Sequence, residues 1–241
     1  MPVPDHRTNN HVLAAETERI RAAYNRRHCG DLYSWFNPGQ LFMMQERERR
    51  VLELLRGLGL SRLDNFRILE VGCYTGYWLG EFIKWGAKPE NLAGIELFAE
   101  YLVEARNIQA PGTALIQANA AFLPFGAASF DLVLQSMLFT SILEGAMKQA
   151  VAGEMLRVLK PRGLILWYDY HVNNPWNPDV QGVKKGEIQT LFPHCRIKLH
   201  RITLAPPLSR VLAPYSFLLC FLLEKLRILN THYLGTIQKT A

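Results

Sequence analysis

Two glutamates and two glycines are spaced to hold a small ligand. Glu70, Gly72 and Gly76 stand in "ILEVGCYTGYWLGEF", residues 68–82, and Glu96 closes the later stretch "LAGIEL". Apolar residues run into an acid, then small residues, then an apolar-periodic segment: strand, tight turn, helix. Glycine lets backbone approach a ligand closely and tolerates φ > 0, so such a turn can cradle a nucleotide. What is missing narrows the ligand. Counted from Gly72, the dinucleotide fingerprint G-x-G-x-x-G meets Tyr74 and Tyr77 where glycine is required. The phosphate loop G-x-x-x-x-G-K-S/T has no counterpart in the chain. What remains is acid-x-Gly-x-x-x-Gly, with Tyr74 inside it as the departure that could plug a pocket.

The elements that must position these residues follow from periodicity. Residues 1 to about 10 read as a loose tail, and "AAETERIRAAYNRRH" as a helix with Ile20 and Tyr24 on one face. After the aromatic loop "GDLYSWFNPGQ", Asn37-Pro38 marks a helix start. That helix is expected to turn Leu41, Met44, Val51, Leu55 and Leu58 inward and "QERERR" outward, and to end near Gly57 and Gly59. From Arg67 strands and helices alternate: "RILEVG", "LAGIEL", "ALIQAN", "SFDLVLQS" and "LILWYDY" as strands, with helices between them. The helix "MKQAVAGEMLRVLKPRG" is expected to stop at Lys160-Pro161 and Gly163. Such alternation predicts a parallel sheet covered on both faces. "EIQTLF" reads as a short helix, and "CRIKLHRITL" and "THYLGTIQKT" as an antiparallel pair at one edge, separated by the apolar segment 205–229.

The chain has 241 residues, 49% hydrophobic and 20% charged, so a sizeable core can form. A net charge of +6 admits nucleic acid, a membrane surface or an anionic small substrate as partner. Cysteines at 29, 73, 195 and 220 form no CxxC pair, which removes zinc-ribbon and redox-pair spacings. The polar opening "MPVPDHRTNN" has no apolar core of a signal peptide, and the longest apolar run, Val211 to Leu223, is too short to span a bilayer. The expectation is a soluble, cytoplasmic protein.

Four stretches in order resemble the class I S-adenosylmethionine-dependent methyltransferases, of the broad small-molecule type also seen in ubiquinone-pathway enzymes. They are "LEVGCYTG", "GIEL", "QANAAFLPFGAASFDLVLQS" and "EMLRVLKPRGLILWYDY", and together they cover roughly residues 65 to 171. The resemblance implies an α/β fold: a Rossmann-like three-layer sandwich on a seven-stranded, mostly parallel sheet with a C-terminal antiparallel hairpin. It implies an N-terminal tail and helical lid over residues 1–62. The methyltransferase domain would be residues 63–241, with the apolar insert 205–229. The implied cofactor is S-adenosylmethionine, leaving as S-adenosylhomocysteine. Glu70 would lie near its amino-acid tail, with backbone at Gly72, Cys73, Tyr74 and Gly76 packed on it. Glu96 would take the ribose hydroxyls with Leu97 beside it, Asn119 and Ala120 would meet the adenine, and Gln135 and Ser136 would face the methionyl part. No metal is expected.

The methyl acceptor is narrowed by elimination. "QSML" follows the fourth strand where amino-methylating relatives carry a D/N/S-P-P-Y/F tetrad, and no cysteine stands there for cytosine chemistry. Gln135 is neutral where metal-dependent catechol methylation needs an acid. An oxygen, less favourably an aliphatic nitrogen, of a small molecule, lipid or glycan remains. His171, at the end of the fifth strand, has the pKa of a general base, and Asp169 could orient it. Tyr24, Tyr33 and Trp35 could lid the pocket, and Arg26 or Arg27 could meet a carboxylate. The general pattern is also similar to methyltransferases of bacterial surface-polysaccharide pathways. The insert 205–229 is either a helix buried on the sheet or a partner chain, or a wall for a lipid-carried substrate or a membrane-surface contact. An RNA-modifying methyltransferase, a non-catalytic cofactor-binding protein and a homodimer stay open.

Overall fold

The computed structural model describes residues 6–26 and 30–240. Seven strands form one sheet: β1 (Ile68–Val71), β2 (Leu92–Glu96), β3 (Ala114–Gln117), β4 (Phe130–Ser136), β5 (Leu159–Tyr170), β6 (Cys195–Leu204) and β7 (Asn230–Lys239). Their spatial order is β3-β2-β1-β4-β5-β7-β6. β1 to β5 pair in parallel, whereas β7 runs antiparallel to both β5 and β6. This is the expected mostly parallel sheet with its terminal hairpin, and β7 fills the gap between its neighbours.

Eight helices accompany the sheet among the described residues: α1 (His6–Asn25), α2 (Pro38–Gly57), α3 (Tyr77–Lys84), α4 (Ala99–Ile108), α5 (Gly145–Val158), α6 (Lys185–Leu191), α7 (Pro206–Leu212) and α8 (Phe217–Lys225). β1 and β2 are buried along their whole length, which explains their unbroken apolar reading. Alternate side chains serve alternate faces. Ile68, Leu132, Leu134 and Leu166 pack with Val51, Leu55, Leu79, Phe82 and Leu102 of α2, α3 and α4. Leu69, Val133, Ile165 and Trp167 pack with Leu13 and Ile20 of α1, Val151 and Met155 of α5, and Ile188 of α6.

The N-terminal elements depart from expectation in two places. Helix α1 begins at His6, so residues 6–10 are helical rather than a loose tail, while residues 1–5 lie outside the described residues. The helix is latched by Glu16. Its carboxylate receives Arg19 at 2.7 Å and the backbone N–H groups of Leu143 and Glu144, at 2.6 and 3.3 Å, just before α5. Burial pushes this carboxyl up, but Arg19 and those two N–H groups outweigh it and hold it below its usual range. Helix α2 does start on Asn37, whose side chain accepts from Gly39 and Gln40, with Pro38 in the first turn. Its first turns bury Phe42 and Met43 rather than Leu41 and Met44, because α7 and α8 cover that side.

Helix α5 ends at Val158, two residues before the expected stop, and Lys160, Pro161 and Gly163 already belong to β5. Segment 205–229 forms two short helices, α7 and α8, set against α2. Gly235, in the middle of β7, shows how close the hairpin strands run, since a Cβ there would stand 2.2 Å from the Lys198 carbonyl oxygen of β6. Gly235→Ala is therefore expected to cost about 1–3 kcal/mol by overpacking. Chemical denaturation should show the loss, with circular dichroism confirming a native fold.

Candidate functional site

The Gly72 turn lies where β1 ends and α3 begins, at the carboxyl edge of the sheet. Gly72 and Gly76 adopt φ of +75° and +81°. Added Cβ atoms would stand 3.1 Å from Leu138 Cδ1 and 2.8 Å from Gln109 Nε2. Both positions thus need glycine for conformation and for space. The turn is tied to the neighbouring strand, because Gly72 and Cys73 donate to the Ile95 carbonyl at 2.9 Å each.

Glu96 completes that tie. Its carboxylate accepts the N–H of Tyr74 at 2.9 Å, Leu97 at 2.8 Å and Phe98 at 3.2 Å. Burial raises its pKa, with the three N–H groups acting against the shift. A carboxylate offers about four lone-pair sites, so one remains for a further donor. Glu70, buried on the α2 face of β1, is different: its Oε2 has no hydrogen-bond partner. Burial drives its pKa well up, while the Leu79 N–H and the Arg47 guanidinium work the other way. An orphaned buried carboxyl oxygen beside a glycine cradle is the feature expected of a site for a cationic ligand group.

Tyr74 takes φ of 50°, a left-handed conformation uncommon for a side chain of its size. Its half-exposed ring lies 4.2 Å from that of Tyr101, in a group with Phe98 and Tyr24. The side chain over Gly72 is that of Leu138, in the loop after β4, not that of Tyr74. Gln135 is fully buried and shapes that loop. It donates to the Tyr168 carbonyl at 3.3 Å and accepts the Leu138 N–H at 3.2 Å. Ser136 ends β4 beside it. Asn119 donates to Thr17 of α1 at 3.2 Å and accepts the Ala121 N–H at 2.9 Å, with Ala120 in the core. A cavity of about 410 Å³ opens there between Leu13, Ala14, Thr17, Asn119 and Phe122. A larger cleft of about 650 Å³, lined by Asp131, Lys160 and Gly163, lies at the amino edge of the strands. Ligands of open α/β sheets bind at the carboxyl edge, so that cleft is not the site.

The structure brings Glu70, Gly72, Cys73, Tyr74, Gly76, Glu96 and Leu97 together through these contacts, and sets Asn119, Ala120, Gln135 and Ser136 at adjacent strand ends. Cys73 contributes backbone only, since its thiol is buried against Gly94 and burial pushes its pKa far up. His171 stands past the end of β5, stacked on Tyr233 at 4.4 Å, with Nε2 3.0 Å from the Asn230 carbonyl oxygen. A carbonyl only accepts, so Nε2 carries the proton and Nδ1 the lone pair. Burial lowers the His171 pKa. Asp169 does not orient it, because its carboxylate is held by the Thr140 N–H and hydroxyl and by the Tyr170 N–H. Arg26 pairs with Asp179 at 2.8 Å, and Arg27 falls outside the described residues. Tyr24 packs against Phe98 and Tyr101, whereas Tyr33 and Trp35 are exposed.

Three participants escape sequence reasoning. Arg47, part of the charge run expected to face solvent, lies over the rings of Tyr77, Trp78 and Tyr168 at 5.5, 5.0 and 4.9 Å. Its Nε is buried without a partner. His232 of β7 is buried between Tyr168 and Tyr170, and burial and Arg47 push its pKa well down. Leu138 is the third. Residues distant in sequence create each environment, so no local signal could reveal it.

Comparison with known proteins agrees with this geometry. Residues 68–163 match the family described as methyltransferase domain. Residues 68–163 of this chain are thus similar to a methyltransferase domain. The matched stretch holds the Gly72 turn, Glu96, Asn119 and Gln135, and the match supports methyl transfer in general terms. An uncharacterized protein of Haemophilus influenzae is 34% identical over 134 residues, 53% of this chain and 52% of that one, so the match spans about half of each. An S-adenosylmethionine-dependent methyltransferase from Mesorhizobium loti superposes with a TM-score of 0.56 at 16% identity, covering 78% of this chain and 96% of that one. The cyclase SpnF superposes at 0.58 with 14% identity, covering 82% and 83%. These likenesses show the fold, a Rossmann-like α/β sandwich. Among the described residues no three His, Cys, Asp or Glu side chains gather to hold a metal.

The S-adenosylmethionine that this match implies would fit the residues present: an unpartnered carboxyl for its ammonium, a glycine cradle and a strand-end glutamate. Burial raises the Glu70 pKa, and a cation arriving beside it would lower that pKa again, so any proton the carboxyl carries should be released on binding. Calorimetric titration of S-adenosylmethionine in buffers of different ionisation enthalpy should therefore show release of up to about one proton. Affinity should rise with pH until the free carboxyl ionises, and Glu70→Gln should abolish the release.

Proposed function

We propose that this chain transfers a methyl group from S-adenosylmethionine to an oxygen, less favourably an aliphatic nitrogen, of a small-molecule, lipid or glycan acceptor. The observation that carries the reading is the orphaned Glu70 carboxyl beside the Gly72–Gly76 cradle, one strand from Glu96. When bound, S-adenosylmethionine supplies an electrophilic methyl group on a sulfonium. Glu70 would hold its ammonium, and Arg47, next to Glu70 with an unsatisfied Nε, would take the carboxylate role expected of Arg26 or Arg27. Glu96 would accept a ribose hydroxyl at its remaining lone-pair site, with Leu97, Asn119 and Ala120 flanking the base and Gln135 and Ser136 the methionyl part. Leu138 would have to leave the face of Gly72.

Positioning accounts for most of the rate in this reading, and aligned intramolecular attack is worth up to about 7–11 kcal/mol. A base is required only where the acceptor oxygen keeps its proton at working pH. His171 is our candidate, with the Nδ1 lone pair set by the Nε2 bond to Asn230. Burial lowers its pKa, which favours the neutral base, so the acidic limb of base-dependent activity should lie below that of an ordinary histidine, with no loss as pH rises above it. His171→Gln should lower kcat by about 10²–10⁴ on an oxygen acceptor. An unchanged kcat and pH profile would remove His171 from the reaction.

RNA as acceptor finds less support. Arg26, Arg49, Lys84, Arg157 and Lys160 sit in ion pairs spread over the surface rather than in one groove.

The test is calorimetric titration of S-adenosylmethionine and S-adenosylhomocysteine into the wild type, Glu96→Ala and Glu70→Gln, with melting curves to separate misfolding from lost contacts. Micromolar binding by the wild type that weakens at least tenfold in both folded variants is the expected result. No binding of either ligand to the wild type would overturn the reading.

A further inference from the structure

Helix α8 has its polarity reversed. A surface helix normally turns apolar residues inward and charge outward. In α8 the acid Glu224 faces in and is buried with Cys220, while Leu218 and Leu222 face out. Neither Glu224 carboxyl oxygen has a hydrogen-bond partner, and the nearest cation, Arg50, stands 3.7 Å away. Together with Val211, Tyr215, Leu226 and Ile228, those leucines are between 54 and 87% exposed. The surface continues into the loop before α2, where Phe36 is 97% exposed and Tyr33 lies under Arg210 at 6.0 Å. Single exposed leucines need no explanation, but a contiguous apolar face marks an interaction surface.

We propose that this face, formed by α7, α8 and the aromatic loop, docks on the surface of an anionic phospholipid bilayer. The charges select the occupant. Residues 205–229 contain Arg210, Glu224, Lys225 and Arg227. With Glu224 buried and Lys225 and Arg227 exposed, the outer surface of the segment carries positive charge only. Two such faces would repel each other, which disfavours a second copy of the chain, whereas an anionic bilayer attracts them. Lys225 lies against the Phe221 ring at 4.8 Å, so a basic group borders the apolar face directly. Tyr215 and Trp35 have the amphipathic rings that favour the headgroup level. Nine residues of α8 make about 13 Å of helix, and no described helix is long and apolar enough to cross a membrane. The mode is therefore to lie in the interface.

The segment leaves β6 at the same sheet edge as the Gly72 turn. Docking would bring that edge to the lipid surface, whatever chemistry it performs.

Co-sedimentation with phosphatidylcholine vesicles, with and without phosphatidylglycerol, tests the proposal without any cofactor. The wild type should pellet with the anionic vesicles and be released as salt rises. Lys225→Ala/Arg227→Ala should weaken partition by roughly fivefold per residue. Leu218→Ser/Leu222→Ser should abolish binding with an unchanged melting curve, because both side chains are exposed. Failure of the wild type to pellet with anionic vesicles, or binding unaffected by both variants, overturns it. So does sedimentation equilibrium showing a lipid-free dimer that Leu218→Ser/Leu222→Ser dissolves. Because no methyl donor is present, the outcome is independent of the calorimetric test of methyl transfer.

Discussion

The arrangement of the site depends on one carboxylate accepting three backbone N–H groups. Glu96 gathers the amides of Tyr74, Leu97 and Phe98, so the turn after β1 and the turn after β2 share one anchor. Charge-assisted hydrogen bonds of this kind are roughly twice as strong as neutral ones. The anchor accounts for the left-handed Tyr74: the backbone twist that aims its N–H at Glu96 costs of order 1–3 kcal/mol and persists because its partner is buried. It also sets where α3 begins. A group proposed to bind a ligand is thus already part of the wall, and ligand contacts add to an existing network rather than creating one.

The same economy of buried charge recurs on the α2 face. Arg47 rests among three aromatic rings, near Glu70 and His232, in a region where unpaired polar groups are otherwise expensive. Planar, weakly hydrated guanidinium suits that setting better than an ammonium would. On the opposite face Glu16 plays the reciprocal part, closing α1 over the start of α5 and so over the loop that carries Leu138. Each helical layer thus sets one charged side chain near the carboxyl edge of the sheet.

How much of this was legible can be argued from particular residues. The sheet, its hairpin, the α2 cap at Asn37 and the Gly72 turn follow from periodicity and local chemistry, which short windows record faithfully. Boundaries failed where tertiary contacts override local signals. Residues 6–10 look polar and unstructured yet continue a helix held by Glu16, far along the chain from its partners. Pro161 and Gly163 look like a helix stop and instead enter a strand. The site was legible through backbone-shaping residues, while Arg47, Leu138 and His232 were not, since their surroundings come from α2, the loop after β4 and the hairpin together. The apolar run of α8 resembled a core helix because composition records apolarity without its direction, and the inward acid reverses that direction.

The position of β7 also sets an order of assembly. It is the last strand in the chain but an interior strand of the sheet, pairing with β5 on one side and β6 on the other. Until residues 230–239 are available, β6 has no route into the sheet, and α7 and α8, which precede β7, can pack on α2 without any strand to fix them. During synthesis, residues 68–170 can form five parallel strands while the leucine-rich segment waits. Long-range pairing of this kind is slow and leaves apolar surface exposed in the interim. The segment that stays uncovered in the finished molecule is therefore already uncovered before the sheet is complete, so its chances of meeting a lipid surface, a chaperone or another nascent chain begin before folding ends.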